Sequence, residues 1–519
     1  MLGYVFDTTL RPRSWFQFAD DTCIVSAHQE DNQLLCNAFT KWTVWADLKI
    51  RVDKCHTIGM KKFGSIHKQY QPVINICGER IPPLEDEADF IYLGKVFNYD
   101  MSIDREKDKL SDELNKYLEK IDLLPLHPKF KIHIVQKYVY AKFRWRFSIY
   151  PLTETWITNN IDNNINRYIR KWLQIPISGN ITHLRLPTKK LGMNLRSAKD
   201  IYSDCKLTVR RILMSSKNME IKRLWKLTSG KNVKEDALLV RANVNVPSLK
   251  KAIDKTNNNN RNDDIWKKFM GLHEQNKIIS FMLDVCPIRS IQKWQKMTAN
   301  LPANIYNFTK RSLILSLSNG ANLKKWYKNQ DGNCVMCKSL QTQLHVFNFC
   351  KNALNRYKWR HDSVLKTIFN YMCSFVKTPY EIHCDIPGLT PHNPSELFVD
   401  NQYRPDIIIK GPESLTVIEL TVPYETNLLK SRQGKIEKYR DITSKVKTPY
   451  NKIELLFFEV SSLGFVGQDA KGMKAYLDSL KINSEELFLK CSEVAIRCTY
   501  YIYCRRNKEW TNPELLDYS

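Results

Sequence analysis

The spacing of three cysteines and one histidine constrains the fold of this chain more than any other pattern. Cys334 and Cys337 form a C-x2-C pair, and His345 and Cys350 complete a C-x2-C-x7-H-x4-C arrangement. Thiolates and imidazole are the ligands of structural Zn²⁺, which holds four of them in a tetrahedron. The pattern therefore predicts a small zinc-closed loop, with His345 and Cys350 supplied by a following helix. The alternative is a chance group within a chain that contains 14 cysteines.

The length and the hydropathy pattern predict an α+β protein of several domains. A chain of 519 residues with 43% hydrophobic residues is too long for one core but apolar enough to fold. Along it, segments whose hydrophobic residues recur every two residues, as in strands, alternate with segments where they recur every 3.6 residues, as in helices. The predicted segments are α/β for 1–100, helical for 101–255, a polar exposed loop or linker for 255–264, helical for 265–325, the cysteine segment for 326–361 and α/β for 362–519.

A strong excess of positive charge indicates a polyanionic partner. Lys and Arg number 80 against 54 Asp and Glu, giving a net charge of +26, which favours nucleic acid over a merely soluble basic surface. The stretch from Pro128 to Lys171 is the most basic, with aromatic residues interleaved. We expect its aromatic side chains to be mainly core and its cations to bind phosphates. The candidate cations are Lys129, Lys131, Lys137, Lys142, Arg144, Arg146, Arg167, Arg170 and Lys171.

Cysteine usage and hydropathy indicate a reducing intracellular compartment. Outside the segment 334–350 the cysteines are scattered, as expected of small buried apolar residues. The N-terminus has no apolar stretch with a cleavage site, and no apolar run is long enough to span a bilayer. We therefore expect neither secretion nor a membrane partner, while the oligomeric state stays open.

Two adjacent carboxylates near the N-terminus are a candidate magnesium site. Strand-like runs at 14–19 and 22–27 flank Asp20 and Asp21, which predicts a hairpin turn. Carboxylates on such a turn can hold divalent ions that activate a 3′ hydroxyl. The alternative is an ordinary exposed turn, since an Asp-Asp pair alone is weakly specific.

A second pair of carboxylates lies in the C-terminal α/β segment. Asp406 begins one predicted strand and Glu419 ends the next, so both can meet at one end of a hairpin and share Mg²⁺. The position two residues after Glu419, where a cation is expected, is Thr421. Lys435 and Lys438 share one face of a predicted helix and can supply that cation. The alternative is an ordinary strand pair with a solvated basic helix.

Several motifs in the first part of the chain occur in the order of a known family. Phe18-Ala19-Asp20-Asp21, a Trp-containing helix, Lys54-Cys55 and Tyr92-Leu93-Gly94 resemble the reverse transcriptases of non-long-terminal-repeat retrotransposons. The resemblance implies that Asp20 and Asp21 are catalytic magnesium ligands of the palm. That family also has a third carboxylate and fingers upstream, for which the residues before Phe18 are too few. We therefore expect the C-terminal part of such a polymerase, unable to extend a primer alone.

Motifs in the second half resemble the retrotransposons of this type that carry a restriction-like endonuclease. They are Thr342-Gln343-Leu344-His345 of a zinc knuckle, Arg404-Pro405-Asp406, the segment Glu419 to Glu425, Lys435-x-x-Lys438-Tyr439 and Ser461-Ser462-Leu463-Gly464. The resemblance implies that Asp406 and Glu419 bind Mg²⁺, that Lys435 or Lys438 is the catalytic cation and that Glu425 assists. Arg360-His361-Asp362 resembles a further segment of unassigned role.

Together these resemblances imply a defined set of domains and partners. They are a partial reverse-transcriptase palm, a helical thumb and linker, a CCHC zinc knuckle and an α/β restriction-like endonuclease. The cofactors would be Zn²⁺ and Mg²⁺, the partners target DNA and element RNA, and the location the nucleus after cytoplasmic synthesis. The alternative is a non-catalytic scaffold, as in the largest core protein of the spliceosome, which has a similar order of domains.

Overall fold

The structure is a computed structural model, and within it the described residues form a mixed α/β protein. They are residues 2–8, 10–86, 88–229, 246–328, 330–376, 378–389, 397–399, 403–447, 450–467 and 470–516, with backbone alone for 246–257. Contacts divide the chain into two compact units: unit 1 is Met1–Leu123, Ile134–Ile165 and Ser197–Asn257, and unit 2 is Leu124–His133, Asn166–Arg196 and Asn258–Ser519. Among the described helices, none is both long and apolar enough to cross a membrane. The domain boundaries given above stay predictions.

Short hairpins dominate the start of the chain, and a four-stranded sheet lies near its end. The strands are β1 (Trp15–Phe18), β2 (Asp21–Ile24), β3 (Gly59–Phe63), β4 (Ile66–Tyr70), β5 (Asn75–Ile76), β6 (Glu79–Arg80), β7 (Phe90–Tyr92), β8 (Lys95–Phe97), β9 (Glu381–Cys384), β10 (Ile407–Lys410), β11 (Ser414–Thr421) and β12 (Lys452–Glu459).

Helices make up most of the remaining described chain. They are α1 (Gln29–Trp45), α2 (Asp104–Leu123), α3 (Pro128–Ile134), α4 (Tyr140–Ile149), α5 (Glu154–Trp156), α6 (Asn163–Leu173), α7 (Thr182–Arg185), α8 (Ala198–Ser215), α9 (Met219–Ser229), α10 (Val246–Met270), α11 (Lys277–Val285), α12 (Ile288–Thr298), α13 (Ala303–Leu313), α14 (Gly320–Trp326), α15 (Leu354–Cys373), α16 (Leu428–Lys438), α17 (Lys471–Ser479) and α18 (Ser484–Cys504).

The hairpin around Asp20 is confirmed, but one predicted strand pairing is wrong. The sequence pattern predicts two strands, 73–77 and 90–96, that pair through a turn at Pro82-Pro83, whereas β5 pairs with β6 and β7 pairs with β8. Each pair has its own two-residue turn, Cys77-Gly78 and Leu93-Gly94, in which both residues have positive φ. That is the backbone of type I′ turns, whose twist matches a tight hairpin. Local turn geometry therefore decides the pairing.

The polar stretch 255–264 is not a loop, so that prediction is also wrong. Helix α10 runs from Val246 to Met270 without interruption. The run of asparagines contains neither Gly nor Pro, the two residues that break a helix most strongly. Asn258, Asn259 and Asn260 are exposed, so the backbone stays helical while their amide side chains remain in water.

Aromatic side chains of α4 and its flanks lie mostly in the core of unit 1, as predicted. Tyr140, Phe143, Phe147 and Tyr150 are each no more than 2% exposed. Phe147 contacts the ring of Tyr202 on α8, with 5.8 Å between the ring centroids. Two aromatic residues of this stretch, at positions 138 and 145, are instead exposed.

The sheet of unit 2 is mixed and has the strand order β12-β11-β10-β9. Strand β10 pairs antiparallel with β9 and β11, whereas β11 pairs parallel with β12. Because parallel neighbours need a crossover, the chain leaves β11 and returns to β12 through helix α16. This crossover places α16 beside the strand that carries Glu419.

Alternation along β10 and β11 sorts their side chains onto two faces of the sheet. Ile407, Ile409, Ile418 and Leu420 pack into one cluster with helices α15 and α18. Ile408, Leu415 and Val417 pack into a second cluster with Tyr439. By the same alternation, Glu419 belongs to the second face, the one that Tyr439 covers after α16, and Asp406 directly precedes β10.

A buried lysine in unit 2 makes stability depend on pH. Lys310 is 3% exposed, and its ammonium lies over the rings of Tyr306 and Trp294 at 5.4 and 6.0 Å. Burial lowers the pKa of Lys310 from 10.5 to about 8. The unfolded chain therefore binds more protons between those two pH values, and stability should rise with pH across that window.

We expect Lys310→Met to abolish this rise and to stabilise the protein at pH 7.5 by about 3 kcal/mol. The measurement is the midpoint of chemical unfolding between pH 7.5 and 10.5. Lys325→Met, at an exposed position of α14, is the matched control and should leave the profile unchanged. Identical profiles for wild type and Lys310→Met would contradict the prediction.

Candidate functional site

The β10–β11 hairpin brings Asp406 and Glu419 together. Ile407 pairs with Ile418, so Asp406 and Glu419 are opposite each other at the next position. The backbone N–H of Asp406 donates to Glu419 Oε1 at 3.2 Å, and the N–H of Leu420 donates to Asp406 Oδ2 at 2.7 Å. Both carboxyl groups are therefore held in place by the backbone of the opposite strand.

Helix α16 supplies the cation that the strand lacks at Thr421. Lys435 Nζ donates to Glu419 Oε2 at 2.5 Å and lies 3.7 Å from Asp406 Oδ2. Lys438 is exposed and donates to the hydroxyl of Tyr439 at 3.2 Å. Of the two predicted lysines, the structure brings Lys435 onto the carboxylates and places Lys438 at the rim.

The three charged groups perturb one another. Burial and the nearby Asp406 raise the pKa of Glu419 to about 7. Burial also opposes ionisation of Asp406, but His361 and Lys435 outweigh it and hold the pKa of Asp406 below its usual value. For Lys435, burial favours the neutral amine, yet the two carboxylates raise its pKa. Lys435 therefore interacts with both carboxylates, and His361 interacts with Asp406.

His361 is a member of this site that sequence reasoning left without a role. It lies on α15, and its Nε2 is 3.5 Å from Asp406 Oδ1 and 3.3 Å from the carbonyl oxygen of Leu420. Its Nδ1 lies 3.1 Å from Asp362 Oδ1. Burial lowers the pKa of His361, but Asp362 and Asp406 more than compensate and raise it to about 10. His361 thus contacts Asp406 and the neighbouring backbone of β11 from helix α15.

Glu425 serves the scaffold in this structure rather than the carboxylate pair. It is fully buried, and its Oε1 accepts hydrogen bonds from Ser462 Oγ and the Leu463 N–H, both at 2.7 Å. Burial raises the pKa of Glu425. The Ser461–Gly464 segment is therefore tied to the chain that follows β11. The predicted assistance of Glu425 to metal or water stays a prediction.

The donor set around Asp406 suits a hard divalent cation. Asp406 and Glu419 offer carboxylate oxygens, and the carbonyl of Leu420 adjoins them. Oxygen ligands of this kind are those that Mg²⁺ prefers, with water completing its shell. The residues therefore fit Mg²⁺, which stays a prediction for this site.

The four predicted zinc ligands form one cluster. The ligand atoms of Cys334, Cys337, His345 and Cys350 all lie within 4.8 Å of one another. Cys334 Sγ and Cys350 Sγ are 3.9 Å apart, and Cys337 Sγ is 3.3 Å from His345 Nε2. Bond lengths of about 2.0–2.3 Å give tetrahedral edges of roughly 3.5–3.8 Å, so this cluster could hold zinc.

Backbone and side-chain hydrogen bonds shape the cysteine cluster. The Cys334 N–H donates to the carbonyl of Ser339 at 2.7 Å, and Lys338, with φ of 60°, turns the chain between them. Tyr357 on α15 accepts from the Cys350 N–H at 3.0 Å and donates to the His345 carbonyl at 2.9 Å. The sequence pattern predicts a helix from about Asp362 to Lys377, whereas this helix begins at Leu354, which lets Tyr357 reach the cluster. The predicted end of that helix, Lys377, lies outside the described residues.

The Asp20–Asp21 pair lies where predicted but assembles no larger site. Phe18 pairs with Asp21, and Ala19 has φ of 52° at the first of the two turn positions, as in type II′ turns. Both carboxylates are exposed. Within the part of the chain that the structure describes, the cysteine cluster is the one group of three or more potential metal ligands. The polymerase role of Asp20 and Asp21 therefore stays a prediction.

The candidate phosphate-binding residues fall into two groups. Exposed ones are Lys137, Lys142, Arg144, Arg167 and Lys171. Others are engaged within the protein: Arg146 bonds Glu113 at 2.8 Å and Glu106 at 3.0 Å, Lys129 Nζ donates to the Ala299 carbonyl at 2.6 Å, and Arg170 donates to the Pro176 carbonyl at 2.8 Å. Lys131 is half-buried.

This division changes the expectation for three of these residues. Arg146 holds two carboxylates, and Lys129 and Arg170 hold carbonyls, so their cations support the fold in this structure. The exposed residues remain the candidates for phosphate binding. Alternation of charge with aromatic residues in the sequence did not separate the two groups, because acidic partners such as Glu106 and Glu113 come from a different helix.

Comparison with known proteins points to mobile elements. No protein-family model matches the chain. Over 502 residues it is 20% identical to the Retrovirus-related Pol polyprotein from type-1 retrotransposable element R2 of Bradysia coprophila. The aligned region covers 91% of this chain and 53% of that protein. This chain is related to retrotransposon Pol polyproteins.

A second relative agrees over a shorter stretch of this retrotransposon-related chain. It is the Retrovirus-related Pol polyprotein from type-2 retrotransposable element R2DM of Drosophila melanogaster, 22% identical over 187 residues. That match covers 35% of this chain and 17% of the relative. The chain thus spans about half the length of one matched polyprotein and a smaller part of the other.

Proposed function

We propose that this chain is the part of a retrotransposon Pol polyprotein that nicks target DNA and holds template for target-primed reverse transcription. The observation that carries the proposal is the convergence of Asp406, Glu419 and Lys435 from two strands and a crossover helix. The relationship to retrotransposon Pol polyproteins supports it. In this proposal the segment 362–519 is the restriction-like endonuclease, 326–361 the zinc knuckle, and 1–255 a partial palm and thumb.

Phosphodiester hydrolysis assigns a separate task to each residue. Water attacks phosphorus, one P–O ester bond breaks, and the strand ends as a phosphate and a hydroxyl. Asp406 and Glu419 would hold Mg²⁺, which supplies Lewis acidity and lowers the pKa of bound water. Lys435 contacts both carboxylates and would stabilise the negative charge that develops on the phosphate. His361 keeps Asp406 ionised and oriented.

The two predicted lysines should differ sharply in effect. We expect Lys435→Met to lower metal-dependent plasmid nicking about 100-fold or more, because it removes charge stabilisation in the transition state. Lys438→Met should cost far less, and only through weaker phosphate contact, since its ammonium lies at the rim and not on the carboxylates. The measurement is the initial rate of conversion of supercoiled to open-circular plasmid with Mg²⁺ or Mn²⁺. Equal rates for both variants would overturn the assignment of Lys435.

Nucleic-acid binding should depend on the exposed cations of unit 1. Replacing Lys137, Lys142 and Arg144 with Ala should weaken binding to all sequences and lower the slope of log affinity against log salt by up to about 3, because each phosphate contact releases counterions. A control that removes equal charge from the β3–β4 hairpin should leave the slope unchanged; its residues are Lys61, Lys62 and Lys68, all exposed. Equal slopes for the two variants would place the binding surface elsewhere.

A non-catalytic scaffold is the competing proposal, and the nicking assay separates the two. A scaffold would bind nucleic acid without any metal-dependent cleavage. In either case target DNA and element RNA are the partners that we propose, which places the protein in the nucleus after its synthesis in the cytoplasm. Zinc in the cysteine cluster would hold the knuckle in its folded form under both proposals.

A further inference from the structure

An open groove of about 460 Å³ adjoins Lys435. One wall is a face of α16 that carries Ser431, Gly434, Lys435 and Lys438. Gly434 and Lys435 each lie three or four residues from Ser431 and from Lys438, the spacing of neighbours on a helix surface. The other wall is the chain that leaves β11 after Glu419, from Thr421 to Pro423. The groove therefore starts at the candidate nuclease site and continues along the helix.

Hydrogen bonds hold the wall of the groove that runs from Thr421 to Pro423. The carbonyl oxygen of Val422 accepts hydrogen bonds from Asn348 Nδ2 at 2.9 Å and from Arg360 at 3.2 Å. Arg360 is only 1% exposed, so a buried guanidinium fixes this wall from beneath. The carbonyl of Pro423 accepts from the Ser462 N–H at 2.8 Å. A groove shaped before a ligand binds is suited to select that ligand by fit.

Gly434 is an unexpected residue for the middle of α16. Glycine is the poorest helix former after proline, yet this position is interior to the helix and has no positive φ. A Cβ atom placed on Gly434 would meet nothing within 4 Å among the described residues. Packing within the described chain therefore gives no reason for the missing side chain.

We propose that the groove receives the sugar–phosphate backbone of target DNA beside the scissile phosphate, and that Gly434 sets how closely this backbone approaches α16. This inference deepens the proposed nuclease function and rests on it. Lys435 and Lys438 line the groove with positive charge, which complements a phosphodiester chain and disfavours a basic or purely apolar occupant. Gly434 is an exposed point on the same wall of the groove, where a side chain would hold the strand away.

The test is a set of substitutions at Gly434 in the full chain. Gly434→Leu should leave the thermal midpoint unchanged or raise it by roughly 2–4 °C, because leucine is the better helix former. It should also weaken binding to a short DNA duplex at least tenfold and lower nicking in proportion. Gly434→Ala should show the same stability gain with a loss of binding of only a few-fold.

Gly472→Leu is the matched control. Gly472 is an exposed helical glycine on α17, where an added Cβ would find only an ordinary contact, 3.8 Å from Leu456. This variant should leave DNA binding unchanged. Wild-type binding and nicking in Gly434→Leu would overturn the groove assignment while the nuclease assignment stands. A loss confined to RNA ligands would overturn the choice of target DNA.

The measurement of DNA binding distinguishes failure of this inference from failure of the nuclease proposal. If the wild-type chain nicks no DNA with any divalent metal, the nuclease proposal fails. Duplex binding that still falls tenfold in Gly434→Leu, and not in Gly472→Leu, would then support the groove as a DNA-binding surface without cleavage. Unchanged binding in both variants would overturn the groove as well.

Discussion

Asp406→Asn and Glu419→Gln are each expected to reduce metal-dependent DNA nicking by at least about 100-fold, since even the partners of metal ligands contribute 10–100-fold to affinity or activity. Both substitutions keep the size of the side chain and remove one negative charge. The two carboxyl groups are held by opposite strands of one hairpin, so losing either should disable the pair. The measurement is plasmid nicking at matched protein concentration across a range of Mg²⁺ and Mn²⁺.

A carboxylate at the other end of the same hairpin provides the control. Glu413 is exposed in the turn between β10 and β11, and Glu413→Gln should nick at the wild-type rate. Circular dichroism and the thermal midpoint establish that each variant is folded. If Asp406→Asn and Glu419→Gln both retain wild-type rates, these carboxylates do not form a nuclease site.

The second large effect concerns zinc. We expect one tightly bound zinc per chain, and we expect Cys334→Ser or His345→Ala to lower the zinc content and to destabilise the cysteine cluster strongly. Structural zinc contributes on the order of 10 kcal/mol in small zinc-binding domains, and Cys334 is buried in a small cluster with Cys350 and Ala353. Metal analysis of purified, reduced protein and the thermal midpoint with and without chelator are the measurements.

An exposed cysteine outside the cluster tests whether the effect is specific. Cys373 is free and exposed at the end of α15, so Cys373→Ser should keep both the zinc content and the thermal midpoint. Purified wild-type protein without zinc, and with a thermal midpoint that chelator does not change, would refute the zinc site.

Local patterns predicted the parts of the candidate site that depend on short stretches of chain. Asp406 and Glu419 are separated by one hairpin, so strand alternation alone indicates that they meet. The four potential metal ligands between Cys334 and Cys350 likewise lie within one short segment. In both cases the sequence distance is small enough that turn chemistry fixes the spatial distance.

Contacts between residues that are far apart in the sequence could not be predicted from local patterns. His361 reaches Asp406 from a helix far upstream, through the packing of α15 on the sheet. Arg146 finds Glu106 and Glu113 across helices, which no charge count of one stretch reveals. The asparagine run of α10 was misjudged for a different reason, because composition alone cannot separate an exposed helix from a loop.

Under the proposed nuclease function, the position of Lys435 on a helix affects how an inactivated copy of the gene can be recognised. Because the cation comes from a crossover helix rather than from the strand, its direction depends on helical phase. One residue inserted into α16 before Lys435 rotates the helix by about 100°, bringing Gly434 to the carboxylates in its place; one residue deleted brings Ile436. A copy with such a frame-preserving insertion or deletion would retain Asp406, Glu419 and both lysines in an alignment. Counting intact motifs would then classify a copy without nuclease activity as an active one.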